Sequence, residues 1–238
     1  GEGDVQVQVI GKIDLDKFKS LMNAPVKLLI NGASGRMGQA LIRLAEANPL
    51  LCVVAKTSRA DLTELHSVAE FDVAIDFSSP DGFDAILAVC IERKKALVSG
   101  TTGLSALQFE GMKTAGVLIP ILWASNFSLG VAVLNQLVSQ AGQWLKNWNI
   151  DITEAHHIHK IDAPSGTALS LGQTVKQASG LDPNYHSLRC GDVVGEHTVQ
   201  FTSQGERLEL THRATNRDIF AQGALFAAEK ISTKPNGF

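Results

Sequence analysis

The fold of this chain is decided by residues 26–38, which read VKLLINGASGRMG. The first five residues have the length and apolar content of a short buried strand, and residues 37–47 read as a helix. Glycines at positions 32, 35 and 38 lie between them. Glycine permits a tight turn and lets the backbone approach a pyrophosphate, and the following helix N-terminus favours negative charge. This order predicts a dinucleotide-binding fold.

The glycine spacing, Gly32-x-x-Gly35-x-x-Gly38, differs from the commoner G-x-G-x-x-G pattern. A purely structural turn is therefore an alternative, although the position between strand and helix favours nucleotide binding. Arg36 adds a positive charge at the phosphate end, unless it is only a solvated residue of the first helical turn.

The alternation of strands and helices continues from this turn to Leu122. Strands are predicted at 50–55, 71–77, 96–98 and 117–122, with helices at 81–93 and 104–113, the first of them capped by Asp81. Such alternation predicts a parallel sheet with helices on both faces. Ligands of these sheets bind at the carboxyl ends of the strands, where polar turns occur at 77–79, 100–103 and 124–127.

The pattern changes after residue 128. A helix is predicted at 129–145, a strand at 150–155, a helix at 167–179, two antiparallel strands at 192–201 and 207–212, and a final helix at 219–231. We expect a Rossmann-type domain at 26–127 and a second α+β domain with a mixed sheet at 128–215. The C-terminal segment 216–238 is expected to return to the first domain. Residues 1–25 form an extension to which no role is assigned.

Composition narrows the class of protein. The 238 residues are 45% hydrophobic and carry a net charge of −3, which gives no reason to expect nucleic acid or a membrane surface as partner. No apolar run reaches the roughly 18–20 residues of a membrane helix. The cysteines at 52, 90 and 190 are odd in number and far apart, and the first two lie in apolar runs, which favours reduced, buried thiols in a cytoplasmic protein.

The second informative stretch is residues 154–168, EAHHIHKIDAPSGTA. Histidine titrates near neutral pH and lysine carries a positive charge, so the segment can move protons and hold anions. Ser165, Gly166 and Thr167 then open a helix, whose free N–H groups also favour an anion. The two stretches together predict a dinucleotide-dependent enzyme that acts on an acidic small molecule.

A metal site is the main chemical alternative for this segment. In an extended chain, His157 and His159 face one side and His156 the other. Lys160 would repel a cation, and no paired cysteine or carboxylate completes a ligand set. We therefore expect no metal. One or two of the histidines could instead pack at a domain surface, His159 being the first choice.

Four motifs occur in an order that resembles the 4-hydroxy-tetrahydrodipicolinate reductase (dihydrodipicolinate reductase) family. They are GASGRMG at 32–38, GTTG at 100–103, NFSLG at 126–130 and the segment at 154–168. The resemblance extends to the C-terminus through GDVVGEH at 191–197 and GERLE at 205–209. It implies NAD(P)H-dependent reduction of 4-hydroxy-tetrahydrodipicolinate to tetrahydrodipicolinate, a cyclic dicarboxylate of the diaminopimelate pathway of lysine biosynthesis.

The resemblance also implies residue roles. His156 becomes the acid/base residue and Lys160 the proton donor, while His157, Gly166 and Thr167 bind the substrate. Three groups are placed on the cofactor: Gly32, Ala33, Ser34, Gly35, Arg36 and Met37; Gly100, Thr101 and Thr102; and Ala124, Ser125, Asn126 and Phe127. The family fold is a Rossmann domain plus a mixed-sheet domain, and the sheets commonly join in a homotetramer.

The chain departs from the family pattern in several places. Residues 1–25 are not part of it, and the stretch between Gly180 and Gly191 is short, so a substrate-side loop is expected to be reduced or absent. The acidic residue expected after the second strand is missing, and Lys56 and Arg59 lie there instead. These cations suit a 2′-phosphate, which predicts a preference for NADPH over NADH. Alternatively they are solvated charges, and both cofactors serve equally.

Two other functions compete with the reductase. One is another dehydrogenase of amino-acid metabolism with a similar two-domain form, and the other is a nucleotide-binding regulatory protein without turnover. The presence of both His156 and Lys160 argues against each of them.

Overall fold

The computed structural model describes residues 24–58 and 64–238. Most of the N-terminal extension, residues 1–23, and Arg59 lie outside these ranges.

The first sheet contains five parallel strands in the order β2-β1-β3-β4-β5. Their bounds are Val26–Asn31 (β1), Leu51–Thr57 (β2), Val73–Asp76 (β3), Ala96–Ser99 (β4) and Ile121–Trp123 (β5). All residues of β3 and β4 are buried, as expected for inner strands covered on both faces. The predicted Rossmann-type sheet is confirmed.

Helices cover both faces of this sheet. They are Arg36–Glu46 (α1), Pro80–Arg93 (α2), Ala106–Ala115 (α3) and, from the end of the chain, Asp218–Ile231, which is α6 below. Leu28 of β1 packs with α1 and α6, whereas Leu29 packs with α2 and α3. Successive residues of a strand point to opposite faces, so a nearly continuous apolar strand supplies two cores.

The N-terminus of α2 differs from the prediction. Its cap is Ser79, whose Oγ accepts a hydrogen bond from the Gly82 N–H at 3.3 Å, and Asp81 lies in the first turn. Pro80 takes the first helical position because its fixed φ suits a helix and its missing N–H needs no partner there.

The fifth strand also begins later than predicted. A capping box of Ser105 and Gln108 starts α3, which runs to Ala115. Residues 116–119 then form a turn, so β5 begins only at Ile121.

The second sheet is mixed and has the order β7-β6-β8-β9. Its strands are Asn149–His156 (β6), Asn184–Arg189 (β7), Gly195–Thr202 (β8) and Arg207–Ala214 (β9). Two helices, Leu129–Trp144 (α4) and Gly166–Ser179 (α5), pack on one face through a core that includes Val138, Ile152, Val175 and Phe201. The predicted mixed sheet of the second domain is confirmed.

Strand β7 was not predicted, since the segment after Gly180 was read as a shortened loop. It pairs in parallel with β6 at the sheet edge, with His156 opposite Arg189. Most of its side chains are exposed or half-exposed, so the sequence NYHSLR carries no clear apolar alternation. This strand is held by backbone hydrogen bonds to β6 and not by burial of its side chains. Because hydropathy patterns reveal only strands with a buried face, they do not reveal this one.

The chain returns to the first sheet at its end. Helix α6 packs beside α1, where Arg43 and Asp218 form an ion pair of 2.7 Å, and the Ile121 N–H donates to the Gly237 carbonyl at 2.8 Å. Among the described helices, none has the length and apolar character required to span a bilayer.

Candidate active site

The glycine turn lies where β1 meets α1. Gly32 has a φ of +84°, and a Cβ there would lie 2.2 Å from the Phe77 carbonyl oxygen. A Cβ on Gly38 would lie 2.2 Å from the Gly32 carbonyl oxygen. Gly35 caps α1 without a side-chain acceptor, which leaves the first N–H groups of the helix for a ligand. The cradle fits a dinucleotide pyrophosphate.

A buried carboxylate fastens the strand ends beneath this turn. Asp76, at the end of β3, accepts hydrogen bonds from Asn31 at 2.8 Å, Ser78 at 2.5 Å, Ser99 at 2.8 Å and Thr101 at 2.7 Å. Burial raises the pKa of Asp76, and these four hydrogen bonds act in the opposite direction. The network joins the ends of β1, β3 and β4.

The network changes the interpretation of Thr101, which the sequence places on the cofactor. Its hydroxyl donates to Asp76 and accepts from the Ser78 N–H at 2.9 Å, and the residue is buried. The backbone of Thr101 is engaged as well, since its N–H donates to Ser99 Oγ at 3.3 Å and its carbonyl accepts from Trp123 Nε1 at 2.9 Å. Thr101 therefore fixes the loop and does not itself face a ligand. Sequence reasoning missed Asp76, although an acid that ends a buried strand is a detectable signal.

The predicted cofactor loops at 100–103 and 124–127 are held in place by ring packing and by a hydrogen bond. A Cβ on Gly100 would lie 2.1 Å from the ring of Phe77, which itself packs edge-on against Phe127 with ring centroids 5.6 Å apart. Thr102 is exposed beside Gly100. In the other loop, the Asn126 amide donates to the Thr167 hydroxyl at 3.0 Å, which links a predicted cofactor residue to a predicted substrate residue.

His156 is the last residue of β6 and is buried. Its Nδ1 lies 2.5 Å from Oε2 of Glu154, which is almost wholly buried. Burial by itself raises the pKa of Glu154, but hydrogen bonds from Arg189, Ser187 and His156 lower it to about 2. An ionised carboxylate can only accept, so Nδ1 carries the proton and Nε2 is the ring nitrogen free for proton exchange.

The segment after His156 is a turn, not the extended chain assumed in the argument about metal ligands. The Lys160 N–H donates to the His157 carbonyl at 3.1 Å, and the Lys160 ammonium lies 2.7 Å from Asp162 Oδ1. That hydrogen bond from Lys160 is the main cause that lowers the pKa of Asp162. The pKa of His157 is lowered, first by burial and then by the positive charge of Arg217.

The N-terminus of α5 is open to a ligand. Ser165 caps it by accepting from the Ala168 N–H at 3.2 Å, and its hydroxyl lies 3.0 Å from Nε2 of buried His197. Burial lowers the pKa of His197 to about 4, so this histidine is neutral at pH 7. Gly166 is exposed, and a Cβ there would meet no atom within 4 Å. The predicted anion site is thus accessible.

One cavity of about 890 Å³ joins the two sequence motifs. Its lining includes Ser34, Arg36 and Met37 from the glycine turn, and His156, His157 and Lys160 from the second domain. Arg43, Arg217 and Asp218 also line it and were not predicted. Some of the other predicted residues line smaller cavities: Gly32 and Gly35 one of about 220 Å³, Ala124, Ser125, Asn126 and Thr167 one of about 300 Å³, and Phe127 one of about 370 Å³. The remaining predicted residues, Ala33, Gly100, Thr101, Thr102 and Gly166, line none of these cavities.

Two further predictions concern residues away from these cavities. Lys56 is exposed on β2 and lines none of these cavities, whereas its companion Arg59 is outside the described residues. Within residues 24–58 and 64–238, no three histidine, cysteine, aspartate or glutamate side chains are grouped as metal ligands would be.

The ionised state of Glu154 predicts a pH-dependent stability difference. A carboxylate with a lowered pKa stabilises the fold above its unfolded pKa and loses that contribution as the pH falls towards the folded value, about 2. The gap in unfolding free energy between wild type and Glu154→Gln should be largest above about pH 5 and shrink below it. Urea unfolding across this range measures it. The exposed pair Glu110–Lys113 supplies the control Glu110→Gln, and a gap for Glu154→Gln that is constant with pH would contradict the assignment.

Comparison with known proteins agrees with the two-part architecture. Residues 26–127 match the family profile described as "Dihydrodipicolinate reductase, N-terminus", and residues 130–238 match "Dihydrodipicolinate reductase, C-terminus". The enzyme named 4-hydroxy-tetrahydrodipicolinate reductase from Stenotrophomonas maltophilia is 56% identical over 227 residues, which cover 90% of this chain and 95% of the relative. Its namesake from Xanthomonas campestris is 55% identical over 230 residues, which cover 91% and 96%.

A solved structure gives the same result for the fold. Dipicolinate-bound dihydrodipicolinate reductase from Paenisporosarcina sp. superposes with a TM-score of 0.76 at 22% identity, covering 89% of this chain and 96% of that one. The two matched profiles together cover nearly all the described residues, from the glycine turn through His156 and Lys160 to α6. The chain belongs to the dihydrodipicolinate reductase family.

Proposed function

We propose that this protein reduces 4-hydroxy-tetrahydrodipicolinate to tetrahydrodipicolinate with NADPH or NADH, the reductase step of the diaminopimelate route to lysine. The observation that carries the proposal is the single cavity of about 890 Å³ that joins the glycine turn to His156 and Lys160. A dinucleotide held at the turn and an acid/base group beside it are what a hydride transfer coupled to proton transfer requires.

The proposed chemistry assigns a task to each side of the cavity. The glycine turn, with Arg36 at its end, holds the cofactor, which supplies the hydride when bound. The conversion takes up one hydride and one proton and releases the 4-hydroxyl group of the substrate as water. The Lys160 ammonium donates the proton, and Nε2 of His156 passes protons between substrate and solvent while Glu154 holds Nδ1–H. Asp162 accepts a hydrogen bond from the Lys160 ammonium and orients it until the anionic substrate arrives.

Binding of a substrate carboxylate is assigned to the start of α5. The free N–H of Gly166 and the hydroxyl of Thr167 lie at a helix N-terminus, where partial positive charge favours an anion. His157 faces the cavity from the neighbouring turn and completes the proposed substrate contacts.

Replacement of Thr167 by valine tests the carboxylate site. Loss of a hydrogen bond to a charged group costs about 1.5–3 kcal/mol, so the Ki of dipicolinate, a competitive analogue, should rise about 10-fold or more. NADPH affinity should stay the same, and wild-type dipicolinate binding should weaken with added salt. Thr174→Val, on the same helix, is the control, because that hydroxyl bonds to Asn135. An unchanged Ki for Thr167→Val would remove Thr167 from the site.

Cofactor choice is a separate prediction. Because Lys56, near the end of β2, and Arg59, just after it, stand where an acid is expected, we predict that NADPH binds more tightly than NADH at low salt. The advantage should be modest, since an exposed ion pair contributes about 0–1 kcal/mol, and it should shrink as ionic strength rises. Titration of both cofactors at low and high salt measures it. Lys56→Ala should narrow the difference, and equal affinities at low salt or tighter NADH binding would contradict the prediction.

We further propose a homotetramer joined through the open face of the second sheet. Helices α4 and α5 cover one face, and the other presents half-exposed and exposed polar residues such as Thr198 and Thr211, whose hydroxyls lie 2.9 Å apart. Light scattering should give four times the chain mass of 25.4 kDa. A monomer at micromolar concentration would overturn this part of the proposal.

We assign a separate function to the domain built on each sheet. Residues 26–127, with 216–238, form the proposed dinucleotide-binding domain, and residues 128–215 the substrate-binding and oligomerisation domain. The proposed location is the cytoplasm, which fits three free cysteines. The prediction that their thiols are buried is correct for Cys90 and wrong for Cys52 and Cys190, which are exposed. No nucleic-acid or membrane partner is proposed.

A turnover assay tests the function directly. Purified protein should oxidise NADPH when the pathway substrate is supplied and should not do so without it. Absence of turnover by folded, NADPH-binding protein would favour the regulatory alternative. Turnover with a different amino-acid-derived substrate alone would favour the other dehydrogenase class.

A further inference from the structure

We propose that Arg189, on edge strand β7, is the positioning residue that fixes both catalytic groups, His156 and Lys160. This inference rests on the proposed function and adds to it a residue that the motifs do not contain. The inference is based on the hydrogen bonds of the Arg189 guanidinium group, in which every N–H donor has an acceptor.

All five N–H donors of Arg189 have partners. Nη1 and Nη2 each donate to one Glu154 oxygen at 2.9 Å, which forms a bidentate pair. Nη1 also donates to the Leu188 carbonyl at 2.6 Å, Nη2 to the Asp162 carbonyl at 2.6 Å, and Nε to the Lys160 carbonyl at 3.3 Å. A planar fork with every donor engaged has one orientation.

The first pair of contacts acts on His156. The guanidinium holds the Glu154 carboxylate in its plane, and Glu154 in turn accepts from His156 Nδ1. The two strands reinforce this link, because the Cys190 N–H donates to the His156 carbonyl at 2.9 Å. Arg189 thus determines which nitrogen of His156 carries the proton and where Nε2 points.

The remaining contacts act on Lys160. The carbonyls of Lys160 and Asp162 bracket the turn that carries the proposed proton donor, and Arg189 binds both of them. The Lys160 ammonium is bonded to the Asp162 side chain within the same turn. Movement of Arg189 would therefore displace both Lys160, the proposed proton donor, and His156, the proposed acid/base residue.

Lysine at position 189 would keep the charge and lose the fork. Its ammonium has three donors and no fixed plane, so it cannot hold both Glu154 oxygens and both turn carbonyls. A role limited to neutralising buried Glu154 would tolerate this change, whereas a positioning role would not. The Arg189→Lys variant separates the two roles and preserves the charge balance of the fold.

The experiment compares Arg189→Lys, Arg189→Ala and the control Arg93→Ala with wild type. Because misplacement of a reacting group by about 1 Å can cost about 10²-fold, we expect kcat to fall by 10-fold or more in both Arg189 variants. NADPH affinity should be unchanged. Guanidinium at sub-denaturing concentration should partly restore kcat to Arg189→Ala, and ammonium should not. Arg93 on α2 also donates to two backbone carbonyls, those of His66 and Val68, and lines none of the described cavities, so Arg93→Ala should keep wild-type kcat.

A spectroscopic measurement completes the test. The ¹⁵N shifts of His156 should report a single Nδ1–H tautomer in wild type at neutral pH and a mixture in Arg189→Lys. The inference would be overturned if Arg189→Lys kept the kcat of wild type. It would also be overturned if the tautomer of His156 were unaltered and guanidinium gave no rescue. Neither result would affect the proposed function, provided that the wild-type protein turns over its substrate. Absence of turnover in wild type would instead count against the proposed function, and the tautomer measurement would still decide the role of Arg189.

Discussion

Replacement of Lys160 by alanine is expected to lower kcat by about 10²–10⁴-fold, the range that general acid/base groups contribute. The ammonium lies in the cavity of about 890 Å³, 2.7 Å from Asp162, and its side chain is 20% exposed. The ammonium can therefore reach the substrate from a position that Asp162 fixes. Alanine removes the proton donor and leaves the glycine turn, the proposed cofactor site, intact.

The chain offers a matched control for this change. Lys176 on α5 forms a comparable ion pair with Asp182 at 2.8 Å, but it is more exposed and lines none of the described cavities. Lys176→Ala should keep wild-type kcat. Steady-state kinetics and NADPH titration of both variants measure the difference. A rise in KM alone for Lys160→Ala would make Lys160 a substrate-binding residue, and wild-type kinetics would exclude it from the site.

Replacement of Gly38 by alanine is expected to destabilise the protein by about 1–3 kcal/mol, as overpacking of a filled site typically does, and to abolish tight NADPH binding. A Cβ there would lie 2.2 Å from the Gly32 carbonyl oxygen and 2.6 Å from the Ala33 Cα. Both atoms are backbone of the turn that the cofactor should contact. The turn cannot relax without moving away from α1.

Gly111 in α3 provides the opposite case. A Cβ at that position meets no atom within 4 Å, and alanine is favoured over glycine in a helix interior by about 0.5–1 kcal/mol. Gly111→Ala should therefore keep or raise stability, with NADPH binding unchanged. Urea unfolding and NADPH titration of the two variants test the contrast. Equal stability of Gly38→Ala and wild type, with normal NADPH affinity, would mean that the turn has more room than its geometry indicates.

Several parts of the fold were predictable because their cause is local. The strand before Gly32 is apolar, the turn needs glycine, and the following helix has its own periodicity, so residues 26–47 specify a unit without reference to the rest. The parallel sheet and the mixed second sheet followed from repetition of such patterns. The segment at 154–168 likewise contains its histidines, its lysine and its helix start in one run of chain.

Features that depend on distant partners were missed. Strand β7 has few buried side chains and exists through backbone pairing with β6, so its sequence resembles a loop. The structural role of Asp76 depends on hydrogen bonds that it accepts from residues of two other strands and a loop. Glu154 was noticed only as the start of a motif. Its role depends on Arg189, which is 35 residues away in sequence.

The sequence by itself determined the family of folds, the position of the glycine turn and the residues able to do acid/base chemistry, because these depend on local periodicity and side-chain chemistry. Only the tertiary structure decided how those residues act. It chose the proton-bearing nitrogen of His156, since Glu154 is held ionised by Arg189. It also brought Arg36 and Lys160 to one cavity. Such placements arise when strands far apart in sequence pair and exclude water, and hydrogen bonds between buried groups then fix each side chain.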